Sequence, residues 1–527
     1  MFAMPLGEVR AEPFTPGQPL NQALVAQVVA TALEFMAPRT LEVVPIPQMA
    51  MWGLRGLTTS DVRLTPDLQP DGGRRPVLRL IGPSRVLLNR PAPAEAPIVA
   101  YAAAWGEATA QMVRAAWDNS EAVRRAGTGG VLRSFFDELF NHLDPYSRYA
   151  APAEAQAERA RRFGRAGVGI RPGLRSGQPV VDSVQPGSPA ALAGIRPGER
   201  ITAIDGESTQ GADLQAIAAL LAGPEDSTLE LTLRGRDGRS RSVALKREAL
   251  PPETVFASRR EEMLVLRVGG FAQNTASRLA QELIAGMAVT PAPEGVVLDL
   301  RGNRGGLLRQ AVAAAAMLQP TGLVAITAGR DPDAAHEYYA EGRDLAQGLP
   351  VVVVVDGRSA SSAEILAAAL SDLRRAVVVG STTLGKGLVQ TIAPLPDGGE
   401  LFVTWSRVLA PRGWPIQGLG VVPQLCTSLG QDALARNLDA LLRGVQPFQV
   451  GLARHRAARA PLAAAEAVEI RAICPAAEGG ELDLVAARQL IRSPSAYAAA
   501  LLPMLPAQSG LPALPRQGLT GPATLRN

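Results

Sequence analysis

At 527 residues the chain is too long for one compact core, so two to four domains are expected. Hydrophobic residues make up 47% and charged residues 19%, which excludes a disordered chain. The net charge of +4, with no long Lys/Arg run, speaks against nucleic acid as a partner.

The segment 1–19 lacks a basic stretch followed by an apolar one, so either the protein is cytoplasmic or the chain begins after a removed export signal. Residues 20–36 read as an amphipathic helix, and 37–95 as short strand-like pieces with turns. From 98 to 163 the pattern is helical, with Leu132, Phe135, Phe136, Leu139 and Phe140 at core spacing. The run Leu143-Asp144-Pro145-Tyr146-Ser147 stops that helix. Arg159, Arg161, Arg162 and Arg165 read as a solvated helix face.

Residues 166–248 alternate short β-type runs with Gly/Pro/Asp turns and two Ala/Leu-rich helices, near 188–194 and 211–222. This is a small α+β domain, followed by the linker Leu250-Pro251-Pro252-Glu253. Residues 260–425 alternate strands and helices. Val296-Val297-Leu298-Asp299-Leu300 and the five valines from Val351 to Val355 suit strands buried on both faces. The last hundred residues read as helical, with a Pro/Gly-rich tail from 503 that is expected to be poorly ordered. No apolar stretch reaches about 18 residues, so no membrane span is expected.

The chemistry concentrates in three segments. Asp356-Gly357-Arg358-Ser359-Ala360-Ser361-Ser362-Ala363-Glu364-Ile365 joins a strand to a helix that starts near Ser361. A turn exposes the hydroxyl, and the helix N-terminus offers N–H groups to a developing oxyanion. The plain alternative is a serine N-cap. A nucleophilic serine needs a base, and His142, His336 and His455 lie in no protease-like histidine motif. A neutral lysine can serve instead. Lowering its pKa from about 10.4 to about 7 costs roughly 4–5 kcal/mol, which burial supplies. Lys386, between Gly385 and Gly387, is one of only two lysines in an arginine-rich chain, and arginine cannot be deprotonated. Gln390, four residues on, is placed to hydrogen-bond the amine if both lie on one strand. The plain alternative is a solvated turn lysine. Third, Asp299-Leu300-Arg301-Gly302-Asn303-Arg304-Gly305-Gly306 runs from a strand into a double glycine, which lets backbone N–H groups face a cavity.

Together these segments resemble the carboxy-terminal processing proteases of the S41 peptidase family, whose pattern is Asp-Leu-Arg-x-Asn-x-Gly-Gly, Ser-Ala-Ser-x-x-Glu and Gly-Lys-Gly followed by Gln. The 25 residues between Ser361 and Lys386 match the family's separation and select Ser361 over Ser359 and Ser362. The resemblance implies a catalytic set of Ser361, Lys386 and Gln390. It also implies an oxyanion hole from the Gly305-Gly306 loop and the backbone of Ser362. Arg304 departs from the frequent Pro or Gly. Asp372 matches an acidic residue of the family and reads as structural support, pairing with Arg375.

Residues 166–248 resemble a PDZ domain, with Gly167-Val168-Gly169-Ile170 as carboxylate-binding loop. Ser188 to Glu199 match the following helix and turn. Leu143 to Ser147 match a short family motif, with Tyr146 where His is common.

The resemblance covers about 130–425. The implied architecture is α/β and multidomain: a mixed region 1–97, a helical region 98–165, an inserted PDZ domain 166–248, a crotonase/ClpP-like layered S41 core 249–425 and a helical region 426–527. The implied activity is a serine endopeptidase that takes proteins or peptides by their C-termini. It needs no metal or cofactor and leaves a homo-oligomer open. Family members in Gram-negative bacteria work in the cell envelope, which favours a periplasmic setting and makes Cys426 and Cys474 a disulfide candidate. The rivals are a catalytically silent S41-like peptide-binding scaffold, a trypsin-like PDZ protease and a crotonase-like acyl-CoA enzyme. The joint presence of Ser361, Lys386 and Gln390 argues against the first, the missing His loop against the second, and the PDZ domain against the third.

Overall fold

The structure is a computed structural model that describes residues 19–72, 74–503 and 516–517. The expectations for the segment 1–19 and the tail beyond 503 fall largely outside the described residues. In the N-terminal region, Val25, Val28, Val29, Ala32 and Leu33 recur at helical spacing and are buried along the helix Gln22–Met36. That helix packs on Ile98–Asn119. Strands Thr65–Asp71, Arg74–Ile81 and Val86–Pro91 form an antiparallel meander. Two short helices, Ile46–Leu54 and Gly56–Ser60, stand where only strand-like pieces and turns were expected. Ile46, Met49, Ala50 and Leu54 hold a helical period too short to stand out, and tertiary burial stabilises it.

After Glu121–Phe140 the chain makes a turn and a three-residue strand, Arg148–Ala150, which pairs antiparallel with Glu400–Leu409. The helix Pro152–Phe163 then leads to the small domain. Its arginines are not simply solvated, because Arg159 and Arg162 both pair with the buried carboxylate of Glu400. Strands Arg165–Gly167 and Glu248–Leu250 pair as a two-stranded neck at the entry and exit of the small domain. Inside it, the sheet runs Ser240–Lys246, Thr228–Arg234, Arg200–Ile204, Gln178–Val184, Ile170–Arg175 over a core of its own. Helices Pro189–Leu192 and Leu214–Leu221 occupy the two expected places.

The large core has a six-stranded sheet. Val255–Arg260 is antiparallel to Met263–Val268. Parallel strands Gly295–Asp299, Val351–Val355, Ala376–Gly380 and Leu425–Cys426 follow. Side chains alternate across it. Val351, Val353 and Val355 face the helices Thr275–Met287, Leu308–Ala316 and Ser362–Asp372. Val352 and Val354 face Gln431–Leu442 and Glu481–Arg492. The C-terminal helices are therefore the third layer of the core, which is why the five valines are buried on both faces. Each fully buried valine contributes roughly 1.5–3 kcal/mol. A bond between Cys426 and Cys474 ties the last parallel strand to the C-terminal region. A second sheet holds Leu388–Pro394, Glu400–Leu409, Thr321–Gly329 and His336–Glu341.

Candidate active site

The loops at the C-terminal ends of the parallel strands are stitched together by buried polar groups. The Asp356 carboxylate accepts from the N–H groups of Gly302, Arg358 and Ser359, and the Ser359 hydroxyl donates to Leu300 O at 2.8 Å. Asn303 is fully buried. Its side chain donates to Val268 O and accepts from Gly305 N, while Ala360 N donates to Asn303 O. These contacts seat the double-glycine loop against Ser361. A Cβ on Gly305 would lie 2.7 Å from Ser361 Cβ, so only glycine fits.

Ser361 has φ 57° and ψ −117°, a left-handed conformation that a serine adopts at a cost of order 1–3 kcal/mol. Its hydroxyl makes no capping bond to the helix Ser362–Asp372. The capping work falls to Glu364, whose Oε2 accepts from Ser361 N at 2.8 Å. The same oxygen accepts from Lys386 N at 2.8 Å, so the two backbone nitrogens lie within twice that distance of each other. Glu364 Oε1 takes Gly385 N and the Thr383 hydroxyl. Burial pushes this carboxyl up, and the four donors pull it back down. Among the described residues the Gly306 and Ser362 N–H groups donate to nothing, whereas Gly305 N is taken by Asn303. Ser362 Oγ donates to Gly306 O at 2.9 Å, which locks the two free N–H groups beside each other.

Lys386 is half-buried. Its amine has no hydrogen-bond partner among the described residues and instead sits over the Tyr146 ring, 4.8 Å from the centroid. Burial pushes its pKa down, as does the Arg148 charge, against the opposing pull of Asp144, Glu158 and Glu364. Gln390 does not bond the lysine. The strand begins only at Leu388, and the register shifts between Val389 and Gln390. The Gln390 amide therefore donates across the strand pair to Thr404 Oγ1 at 3.1 Å and to Leu388 O. Thr404 Oγ1 in turn donates to Asp144 Oδ1 at 2.7 Å, and Thr404 N donates to Ser147 Oγ. Asp144 also accepts from the backbone of Tyr146 and Ser147. The residues from Asp144 to Ser147, expected to end a helix and matched to a short family motif with no role attached, thus form the wall behind the lysine. Asp144 and Thr404 were missed as parts of this site. The only sequence signal was the short motif ahead of the small domain, and nothing in it names Thr404 as a partner.

Asp372 pairs with Arg456 (3.4 Å) and accepts from Trp414 Nε1 (2.8 Å), not with Arg375, which binds Asp344. Arg375 lies beyond the helix end and faces the Leu349 carbonyl and Asp344. His455 is fully buried, bonded to Gly420 O, with its pKa pushed well down by burial. His142 stacks on Trp52, and no bond joins either histidine to Ser361 among the described residues.

In the small domain, Gly167, Val168, Gly169 and Ile170 line a groove of about 420 Å³ with Ala218 and Leu221 of the facing helix. Gly169 is required: φ is 80°, and a Cβ would strike Ser188 at 2.2 Å.

Residues 262–426 match the model of peptidase family S41, and residues 180–235 that of a PDZ domain. A carboxy-terminal-processing protease of Bartonella bacilliformis is 34% identical over 300 residues, covering 56% of this chain and 69% of its own. A chloroplastic C-terminal processing peptidase of Tetradesmus obliquus is 32% identical over 345 residues, covering 61% and 72%. Among solved structures, a photosystem II D1 C-terminal processing protease is 30% identical and covers 59% of this chain and 86% of its own, with a TM-score of 0.34. The two sequence relatives match this chain over 69% and 72% of their own length. The chain therefore belongs to the carboxy-terminal-processing proteases of peptidase family S41, serine-type hydrolases, and carries a PDZ domain.

Proposed function

We propose that the protein is a serine endopeptidase in which Ser361 is the nucleophile, Lys386 the general base and Gln390 its orienting partner. It would act on unfolded or C-terminally tagged proteins presented by the PDZ groove. The observation that carries this reading is Ser361 itself. A capping serine would sit in an extended conformation with its hydroxyl on the helix N–H groups, but this one is held left-handed, its hydroxyl making no capping bond among the described residues.

In the proposed reaction the substrate C-terminus adds beside the strand Ile170–Arg175, its carboxylate on the N–H groups of the loop from Gly167 to Ile170. Neutral Lys386 takes the Ser361 proton as Oγ attacks the peptide carbonyl. The oxyanion is held by Gly306 N–H and Ser362 N–H, at the positive end of the helix Ser362–Asp372. The lysine ammonium then protonates the departing amine, and a water activated by the same amine hydrolyses the acyl-enzyme. To reach the serine, the Lys386 amine leaves the Tyr146 ring. The Gln390 side-chain oxygen, which accepts nothing among the described residues, is available to receive it. A bonded Cys426–Cys474 pair suits an oxidising compartment, so we place the protein in the cell envelope. Among the described residues no helix is long and apolar enough to cross a membrane.

The test is digestion of a denatured protein with the full chain and with Ser361→Ala, the products being read by mass spectrometry. Cleavage by the unaltered chain alone supports the assignment. Cleavage by both refutes it.

A further inference from the structure

The helix Ser362–Asp372 that starts beside Ser361 ends at a second cleft. This cleft, of about 670 Å³, lies between helices Gln449–Ala457 and Pro494–Ala500 and the turn that follows Asp372. Arg374, Arg412, Arg456 and Arg459 line it, and no acidic residue does among the described residues. The Asp372 carboxylate behind the wall is already divided between Arg456, Trp414 Nε1 and the backbone N of Arg412. Of the four guanidinium groups only that of Arg456 touches this carboxylate, while Arg412 and Arg459 donate to backbone carbonyls, so the wall carries more positive charge than one carboxylate offsets.

Arg374 shows the imbalance most clearly. It has a left-handed backbone, φ 60°, and its Nε is shielded from water with no hydrogen-bond partner among the described residues. The left-handed backbone is the helix stop, with Arg375 N donating back to Leu370 O at 2.8 Å, so it is the unmatched buried donor that is costly here. The remaining wall is apolar, with Leu452, Ala453, Leu501 and Leu502. The flanking elements are helices, so no sheet edge is at hand to pair the backbone of an extended peptide. An aliphatic chain has no such groups to satisfy. The chain's own segment 504–527 contains no Asp or Glu with which to answer the arginines.

We propose that this cleft binds an aliphatic carboxylate, with the carboxylate against Arg374 and Arg459 and the hydrocarbon chain along Leu452 and Leu501. A fatty acid of medium length has the right charge, shape and lack of polar groups along its body.

Laurate, below its micelle concentration, is titrated calorimetrically into the full chain. The Ser361→Ala chain serves equally, so the outcome is independent of the catalytic assignment. One equivalent should bind. Dodecanol should bind at least tenfold more weakly, and so should laurate to an Arg374→Gln/Arg459→Gln chain. Ala498→Trp, which fills the cleft without altering an arginine, should weaken laurate to a similar extent and keeps the test open if the double variant fails to fold. Trp414, bonded to Asp372, provides a fluorescence reporter of occupancy. Equal affinity for laurate and dodecanol would overturn the proposal, as would unchanged binding in the variants. Binding that appears only after removal of residues 504–527 would also overturn it, because the chain's own tail would then be the occupant.

Discussion

The two sides of the candidate active site are built differently. On the serine side every support is a buried, paired polar group: Asp356, Asn303, Ser359 and Glu364 bond the backbone of the 300–306 and 356–361 loops. On the lysine side the Lys386 amine has an aromatic face and no hydrogen bond among the described residues, and its wall is recruited from residues 144–148, ahead of the PDZ domain. A nucleophile must be in place before substrate arrives, so rigidity suits it. A lysine base must be held in the protein yet kept out of the serine's way until needed. Its weaker restraint, contributed by the segment through which the PDZ domain is attached, makes the lysine the more adjustable half.

The largest effects should come from removing the reacting groups. Ser361→Ala should lower turnover of a denatured substrate by at least about 10⁴-fold with unchanged folding. Lys386→Arg keeps the charge but cannot lose its proton, and should cost about 10³-fold or more. If the arginine variant retains most of its activity across pH, lysine is not the base and the contrast between the two sides loses its meaning. Next in size is Glu364→Gln. Three backbone N–H groups and the Thr383 hydroxyl donate to its two oxygens, so in either orientation the new amide would face at least one backbone N–H donor in a fully buried place; unfolding free energy should fall by about 3 kcal/mol and turnover should drop with it. The midpoint of denaturant unfolding reads this directly.

The same contrast governs what the sequence made legible. Val351 to Val355, the double glycine and Ser361 are local: each strand leads within a few residues into the loop that matters, and periodicity exposes it. Lys386 was singled out by composition and by a separation from Ser361 that matches the family resemblance. The reach from Asp144 to Thr404 spans 260 residues, and its register is fixed only when Arg148–Ala150 joins Glu400–Leu409. No local pattern encodes that pairing. The expected Asp372–Arg375 pair failed for the same reason: the true partner, Arg456, comes from the C-terminal layer 84 residues on. The direct Gln390–Lys386 bond expected from one strand is absent because the strand begins only after Lys386, so the link to Gln390 rests on the family resemblance.

A smaller effect should follow from Tyr146→Leu. The ring face stabilises the ammonium, so it holds the lysine pKa up against the downward push of burial. Losing about 0.5–1 kcal/mol of that attraction lowers the pKa by roughly half a unit. The acidic limb of the pH–rate profile should move down by that amount, and turnover below the limb should rise about threefold. Tyr146→Phe keeps the ring and should leave the limb in place. A limb that stays fixed in the leucine variant means the aromatic contact does not tune the base.

The finest test uses two neighbours of opposite sign. Arg148 disfavours the lysine ammonium and Asp144 favours it. Arg148→Gln should therefore raise the lysine pKa and carry the acidic limb upward, whereas Asp144→Asn should carry it downward. The Asn side chain can keep an acceptor toward Thr404, Tyr146 and Ser147, so the charge changes more than the hydrogen bonding. Arg148 is about half exposed, so each shift should be only a few tenths of a unit and should shrink as salt is raised toward 1 M. Shifts of the same sign in both variants would mean that the two substitutions act by loosening the 144–148 wall. Opposite shifts that fade with salt would show that the wall sets the lysine's charge as well as its position.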